Sequence, residues 1–251
     1  MKKLILLTVV MCVVASSSFA QDSKVDDVFK KYRFALFAGP TFNSLKNTVA
    51  KAEDGKGDYN LTKGSGRTSF SVGLTAELAM SEKYSLYSGV GLDWNGGSIS
   101  AVHDTATALD SKYASSADVD YKTQFLSVPL GLKMYAAEFG DVKIFAKTGV
   151  DLSLLLSQKG DYTLTGANVT DSTGVNQKIN DVARVVPLNI GWHIGAGAEY
   201  TLSSGSAVYG AIIYRNGFTD FTTPSLNNEG HRFSDGNIRS NTIAIRIGYF
   251  F

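Results

Sequence analysis

Eight stretches of this chain alternate, one residue after the next, between apolar and small or polar side chains. A period of two marks a β-strand with two unlike faces. Tyr32 to Asn43 places Phe34, Leu36, Ala38, Pro40 and Phe42 on one face. Thr68 to Met80 does so with Phe70, Val72, Leu74, Ala76 and Leu78. Tyr84 to Asn95 follows with Leu86, Val90, Leu92 and Trp94, Ser88 being the exception. Tyr121 to Tyr135 aligns Leu126, Val128, Leu130, Leu132 and Met134, and Val142 to Ser157 aligns Ile144, Val150, Leu152, Leu154 and Leu156. Val186 to Leu202 and Ala207 to Arg215 continue the series, and the last stretch carries Ile243, Ile245, Ile247, Tyr249 and Phe251 on one parity. No helical apolar period of useful length follows Ala20, so the chain reads as all-β.

The connections between these stretches alternate too. "SEK", "AAEFGD" and "SSGS" are short, whereas 43–67, 97–120, 158–185 and 217–239 are long and rich in Gly, Asn, Asp, Ser, Thr and Lys, as loops are. An even number of strands joined in this way is the pattern of a membrane barrel, and each strand is long enough to cross a bilayer when tilted. The expected fold is an eight-stranded antiparallel up-and-down transmembrane β-barrel over residues 32–251, with four long extracellular loops and three short periplasmic turns.

A soluble lipocalin-type barrel also has eight strands but turns its apolar face inward, so the second face decides. Among glycines and serines that face carries four acids, Glu77, Asp93, Asp151 and Glu199, and four bases, Lys133, Lys147, Arg215 and Arg246. Facing lipid, the bases alone would cost about 2–4 kcal/mol each, together comparable with a whole folding stability of about 5–15 kcal/mol. Facing inward, they can form a salt-bridged network in a lumen that eight strands leave only wide enough for side chains. Aromatic residues separate membrane from water. Tyr32, Tyr84, Tyr200, Tyr249 and Phe251 fall at the short-turn end, and Phe42, Phe70, Trp94 and Tyr214 toward the loop end. Two bands are what interfacial girdles require. Trp192 sits deeper and joins neither.

The first residues, "MKKLILLTVVMCVVASSSFAQ", read as a secretory signal peptide over 1–20. Lys2 and Lys3 precede an apolar run, Leu4 to Val14, too short to span a bilayer, and Ser18-Phe19-Ala20 supplies a small-x-small cleavage site. Residues 21–31 then form a short periplasmic segment. Cys12, the one cysteine, leaves with the signal, and a thiol-free mature chain suits an oxidising compartment. Removing the two lysines takes the formal charge from +1 to −1, so no basic excess points to nucleic acid.

Five segments, "FLSVPLGLKMY" (125–135), "FAKTGVDLSLLLS" (145–157), "GWHIGAGAEY" (191–200), "YGAIIYRNGFTD" (209–220) and "TIAIRIGYFF" (242–251), together resemble the PorT-like, OmpX-like outer-membrane β-barrel family. Pro129 in "VPLGLK" matches a proline common in that family's strand. The resemblance implies a barrel in the outer membrane of a Gram-negative bacterium. It also implies recognition of the C-terminal aromatic strand, through Tyr249 and Phe251, by the barrel-assembly machinery. Its members serve in secretion, adhesion or stress response.

Little in the sequence speaks for catalysis. His103-Asp104 with Ser100, and His231 with Ser234, are residue types used by eight-stranded outer-membrane enzymes that act on lipid A, but nothing in the spacing brings them together. His193 has inward parity and reads as a hydrogen-bonded lumen residue. No spaced His/Cys/Asp set suggests a metal, and "GKGDYNLTKGSG" lacks the strand–loop–helix context of a phosphate loop. No cofactor is expected. Pro129 and Pro187 each remove a ladder donor, which predicts a bulge or an edge-of-membrane position. The expected role is non-enzymatic: structural or surface-binding, associated with the envelope or with secretion, with outer-membrane lipid as surroundings and a surface or secretion partner at the loops. The alternatives are a narrow route for small ions or apolar molecules and, third, a lipid A-modifying enzyme.

Phe251 shares the lipid-facing parity with Tyr249, whereas Phe250 lies on the other. A one-residue slip exchanges faces. Deleting Phe251 is therefore expected to lower the amount of heat-modifiable protein in outer-membrane fractions at matched expression, while Phe251→Trp keeps it at the wild-type level.

Overall fold

A computed structural model describes residues 32–49, 59–103, 116–165, 172–178, 184–202, 205–223, 225–226, 232–233 and 237–251. The expected signal peptide (1–20) and the segment 21–31 lie outside the described residues. Among the described residues, eight long strands form the wall: β1 (Tyr32–Val49), β2 (Tyr59–Ala79), β3 (Tyr84–His103), β4 (Ser116–Phe139), β5 (Val142–Thr165), β6 (Leu188–Thr201), β7 (Ala207–Gly217) and β8 (Asn237–Phe250). Each pairs antiparallel with the strand before it, and β8 pairs back onto β1, so the sheet closes. The closing ladder runs from Ala35↔Phe250 to Asn47↔Ile238, and Phe251 N–H donates to the Phe34 carbonyl at 3.0 Å. Closure matters because an open edge in hydrocarbon would leave a row of backbone groups without partners.

The turns at one end are tight. β2 and β3 are joined through residues 80–83, where the Ser81 hydroxyl accepts from the Lys83 and Tyr84 amides. β4 and β5 are joined by Gly140-Asp141, with Gly140 at φ +60°, a conformation that a side chain disfavours. "AAEFGD" is therefore mostly strand, since β4 runs on to Phe139.

Along the part of the wall nearest these turns, the apolar parity points outward. Leu36, Val90, Leu130, Leu132, Leu152, Ile212 and Ile247 are all exposed, and so is each aromatic residue of the two expected bands. From Tyr32 to Phe42 is ten residue steps. At ~3.3 Å per step and a tilt of ~40° that gives ~25 Å, the height of a membrane barrel's apolar band. Trp192 also faces outward, four residues from the loop end of β6, and meets Tyr214 edge-on with ring centroids 5.7 Å apart. It belongs to the outer band, because the strand starts at Leu188 and not at Val186.

Two expectations need correcting. The long polar stretches are not simply loops. β2 starts at Tyr59, β3 runs to His103, β4 starts at Ser116 and β5 ends at Thr165, so 43–67, 97–120 and 158–185 are in large part strand. Above the apolar band the wall stands in water and the usual rule returns, with polar residues outside and apolar residues inside. Leu45, Leu61, Ile99, Ala101, Val119, Tyr121, Phe125 and Ile238 point inward and are buried together. Pro129 marks neither a bulge nor an edge-of-membrane position, since it lies opposite Asp151 in the middle of the apolar band. It lies inside β4 with no register shift, the β3–β4 ladder lapses between Ser88↔Leu130 and Gly91↔Ser127, and the Ser88 hydroxyl donates to the Pro129 carbonyl at 3.0 Å.

Val128 and Ser127 occupy opposite faces of β4. Val128→Arg is expected to reduce folded protein in the outer membrane, since a mid-band charge on the lipid side costs about 2–4 kcal/mol. Ser127→Ala removes one buried hydrogen bond to Asp93, costs about 1 kcal/mol and is expected to assemble normally. Heat-modifiable migration of the two variants checks the face assignment.

Candidate functional site

The lumen is the candidate site, and three layers fill it. At the turn end, Lys133 on β4 lies 1% exposed between two carboxylates. Its Nζ donates to Glu77 Oε1 and Oε2 on β2 at 3.0 and 3.1 Å, and to Glu199 Oε2 on β6 at 2.8 Å. Arg33 Nη2 on β1 donates to Glu199 Oε1 at 2.5 Å, and the Tyr135 hydroxyl donates to Glu199 Oε2 at 3.1 Å. The ammonium also lies 4.4 Å from the Phe145 ring centroid, and Arg33 lies 4.0 Å from that of Phe250. Such contacts strengthen as water is excluded.

The middle layer is a chain of charges and hydrogen bonds. Arg215 Nη1 on β7 donates to Asp93 Oδ2 on β3 at 2.6 Å, and its Nε stands 3.9 Å from Asp151 Oδ2 on β5. The Ser127 hydroxyl donates to Asp93 as well. His193 Nδ1 on β6 lies 2.8 Å from Asp151 Oδ2, and its Nε2 meets the Tyr87 hydroxyl. A carboxylate only accepts, so Nδ1 carries a proton toward Asp151.

Of the eight expected network residues, the structure joins Glu77, Lys133 and Glu199 in one cluster and Asp93, Asp151 and Arg215 in another. Lys147 and Arg246 depart from the expectation. Among the described residues neither lies within 4 Å of a carboxylate; Lys147 stands 5.3 Å from the Tyr87 ring and Arg246 4.1 Å from the Phe37 ring. The expected balance of four against four also shifts. Arg33 adds a fifth base, since it shares the inward parity of β1 and faces Glu77 directly in the ladder.

The inward rings were the larger omission. Phe37, Phe145, Tyr209 and Phe250 are buried together in the lower lumen, and several glycines of the inner face lie beneath rings. A Cβ on Gly73 would come within 2.7 Å of the Phe37 ring, on Gly131 within 2.7 Å of the Tyr87 hydroxyl, on Gly197 within 2.6 Å of Phe145 and on Gly248 within 2.2 Å of Tyr209. The signal was present as aromatics opposite glycines on one parity, but which ring meets which glycine depends on barrel stagger.

The third layer closes the loop end. Two connecting segments turn into the mouth and pair as a short ladder, Arg184–Val185 with Thr222–Thr223. They deliver Val185 and Phe221 into the upper apolar core, each 1% exposed. The Phe221 ring meets Tyr121 edge-on at 5.6 Å. Asp220 Oδ1 accepts the amides of Ile238 at 2.9 Å and Thr222 at 3.3 Å, and burial still pushes its carboxyl above the ordinary range. At the outer surface the hydrogen bond from Lys122 holds Asp161 below that range.

Of the residues weighed for catalysis, Ser100 donates to Asp118 on the outside of the wall. The side chain of His103, and Asp104, His231 and Ser234 entirely, lie outside the described residues. Among the described residues no group of three or more His, Cys, Asp or Glu could hold a metal ion.

Removing one partner of a buried ion pair leaves the other uncompensated. Lys133→Met is expected to lower stability by about 3–5 kcal/mol, read as a lower urea midpoint of the heat-modifiable band. Adding Glu77→Gln and Glu199→Gln is expected to restore most of that loss.

The family described as "Outer membrane protein beta-barrel domain" matches residues 19–243. No curated protein matches the sequence. In three dimensions the chain is similar to Ail, the attachment invasion locus protein of Yersinia pestis, at 12% identity and a TM-score of 0.36, over 88% of this chain and 99% of that one. It is similar to OprG from Pseudomonas aeruginosa at 14% identity and 0.44, over 87% and 95%. It is similar to the outer membrane protease OmpT from Escherichia coli at 10% identity and 0.45, over 88% and 95%.

Proposed function

We propose that this chain, which belongs to the outer membrane protein beta-barrel domain family, is a closed, non-enzymatic barrel of the outer membrane whose role is structural or surface-binding. The observation that carries the reading is the stacking of three filled layers along one lumen. Lys133 with its two glutamates, the Asp93–Arg215–Asp151–His193–Tyr87 chain, and the upper apolar core follow one another from the turn end to the loop end. Ions would have to cross a core holding Phe125, Phe221 and Leu45, each no more than 2% exposed. What remains available to a partner is the outer surface, where the strands continue above the apolar band.

The finer reading places that surface in the Gram-negative envelope, in the manner of the PorT-like and OmpX-like barrels, with the barrel-assembly machinery inserting the chain and a surface or secretion partner at the outer end. A narrow transport route would require the inturned Val185 and Phe221 to leave the mouth.

Purified protein in planar bilayers is expected to give no large, stable conductance. Reproducible steps of large conductance from the pure wild-type chain would overturn the closed-lumen reading and favour transport.

A further inference from the structure

Two cations in the lumen have no acid of their own. Lys147 on β5 shares the inward parity of Phe145 and Asp151, and Arg246 on β8 shares that of Ala244 and Phe250, all four buried. Among the described residues neither cation makes a hydrogen bond or an ion pair. Arg246 is 4% exposed, and its Nε is buried without a partner. Their contacts are with rings, Tyr87 for Lys147 and Phe37 for Arg246. A ring face offsets only part of the cost of taking an ion out of water.

The charges around them do not cancel. At the turn end Arg33 and Lys133 face Glu77 and Glu199, and at the rim Lys143 faces Glu138 at 3.4 Å, so both groups balance. In the middle layer Asp93 and Asp151 face one guanidinium, that of Arg215, which leaves one negative charge with His193 neutral. Lys147 and Arg246 add two positive charges. Among the described residues, the lumen below the upper apolar core therefore carries one positive charge in excess. Position sharpens that excess. Lys147 is the register partner of Lys133, and like charges so placed oppose pairing. Of the charges acting on Lys147, that of Arg246 is the strongest; Lys133 and Arg215 share its sign, and only Glu77 opposes them. Arg246 also acts on the Tyr87 hydroxyl more strongly than Arg215 does, so both cations adjoin Tyr87. Water can satisfy the free donors, but it does not cancel the charge.

We propose that the lumen holds one small monovalent inorganic anion, of the chloride class, between Lys147 and Arg246. The anion accepts from the Lys147 ammonium and from Arg246 Nε, brings the lumen to neutrality and screens the two cations from each other. Room for it lies beside Lys147. That residue is half-buried where Lys133, Phe145 and Asp151 around it are buried, and its side chain points inward. The buried rings of Phe37, Tyr87 and Phe145 bound the same space and keep the ligand small. The upper apolar core closes the loop end, so the site is a dead end in which the anion is held and not passed. Occupancy and conductance are separate readouts, and failure of one leaves the other standing.

The test uses the full chain folded in zwitterionic detergent. It is dialysed to equilibrium against radiolabelled chloride, and its urea midpoint is followed as sodium chloride replaces sodium gluconate at constant sodium. Wild type is expected to hold one chloride per chain, displaced by bromide and not by gluconate. Its midpoint is expected to rise with chloride, since a ligand bound by the folded state alone stabilises that state. Lys147→Met and Arg246→Met should each bind chloride about tenfold more weakly or worse and lose the rise. In gluconate, Lys147→Met should be at least as stable as wild type because the excess charge is gone, the opposite sign to Lys133→Met. Lys83→Met in the exposed β2–β3 turn keeps both signals. Heat-modifiable migration verifies that each variant is folded, and the wild-type dialysis decides occupancy even where a variant does not fold. No bound chloride in wild type, an undiminished rise in Lys147→Met, or a loss of stability for Lys147→Met in gluconate as large as that for Lys133→Met would each overturn the proposal.

Discussion

The ladder between β1 and β8, from Ala35↔Phe250 to Asn47↔Ile238, removes the last open edge from the sheet. In hydrocarbon no other arrangement of strands satisfies the backbone, and much of the rest of the structure follows from it. Closing eight strands gives a lumen too narrow to be left as a channel and too wide to be left empty. Something must occupy it, and the closed wall decides what can: side chains of one parity only, arriving from strands far apart in the chain. Lys133 reaches Glu77 and Glu199, separated from it by 56 and 66 residues, because closure places β2, β4 and β6 around one axis.

Within that space, rings and glycines divide the work. A ring such as Phe37 on β1 lies over its register partner Gly73 on β2 and over Gly91 on β3. The glycines are what let the rings lie against the neighbouring strands, each over its own register partner, and the rings in turn supply surfaces for Arg246, Lys147, Arg33 and Lys133. Charge is thus accommodated in two ways, by carboxylates where strands place them within reach and by aromatic faces where they do not.

How much of this could be read from the residues alone depended on the range of the signal. Period-two alternation is local, so strand existence, face parity and the inward direction of Glu77, Asp93 and Arg215 were legible. Partner choice was not, because it depends on stagger between strands that are distant in sequence. Parity alone places Lys147 and Arg246 with the charged network, whereas register brings them to the Tyr87 and Phe37 rings. The extensions of β2 to β5 were missed for a different reason. Tyr59 to Arg67 and Ser116 to Asp120 have the Gly, Ser, Asp and Lys content of loops because their outer face meets water, while the apolar residues that reveal them as strand lie on the parity that carried charge lower down. Val185 and Phe221 sat in stretches read as polar, and only the inward fold of those segments places them in a core.

That inversion has a consequence of its own. Parity specifies which face of a strand meets lipid, but a shift of two residues preserves parity while moving the strand along the membrane normal. In β4, such a shift would carry Lys122 down to the level of Gln124, or lift the polar Ser127 to the level of Phe125 in the apolar core. The point at which the apolar side crosses from outside to inside therefore acts as a depth mark, tying the height of each strand in the bilayer to the height of the core above it. A chain with alternation alone could float; this one carries its own waterline.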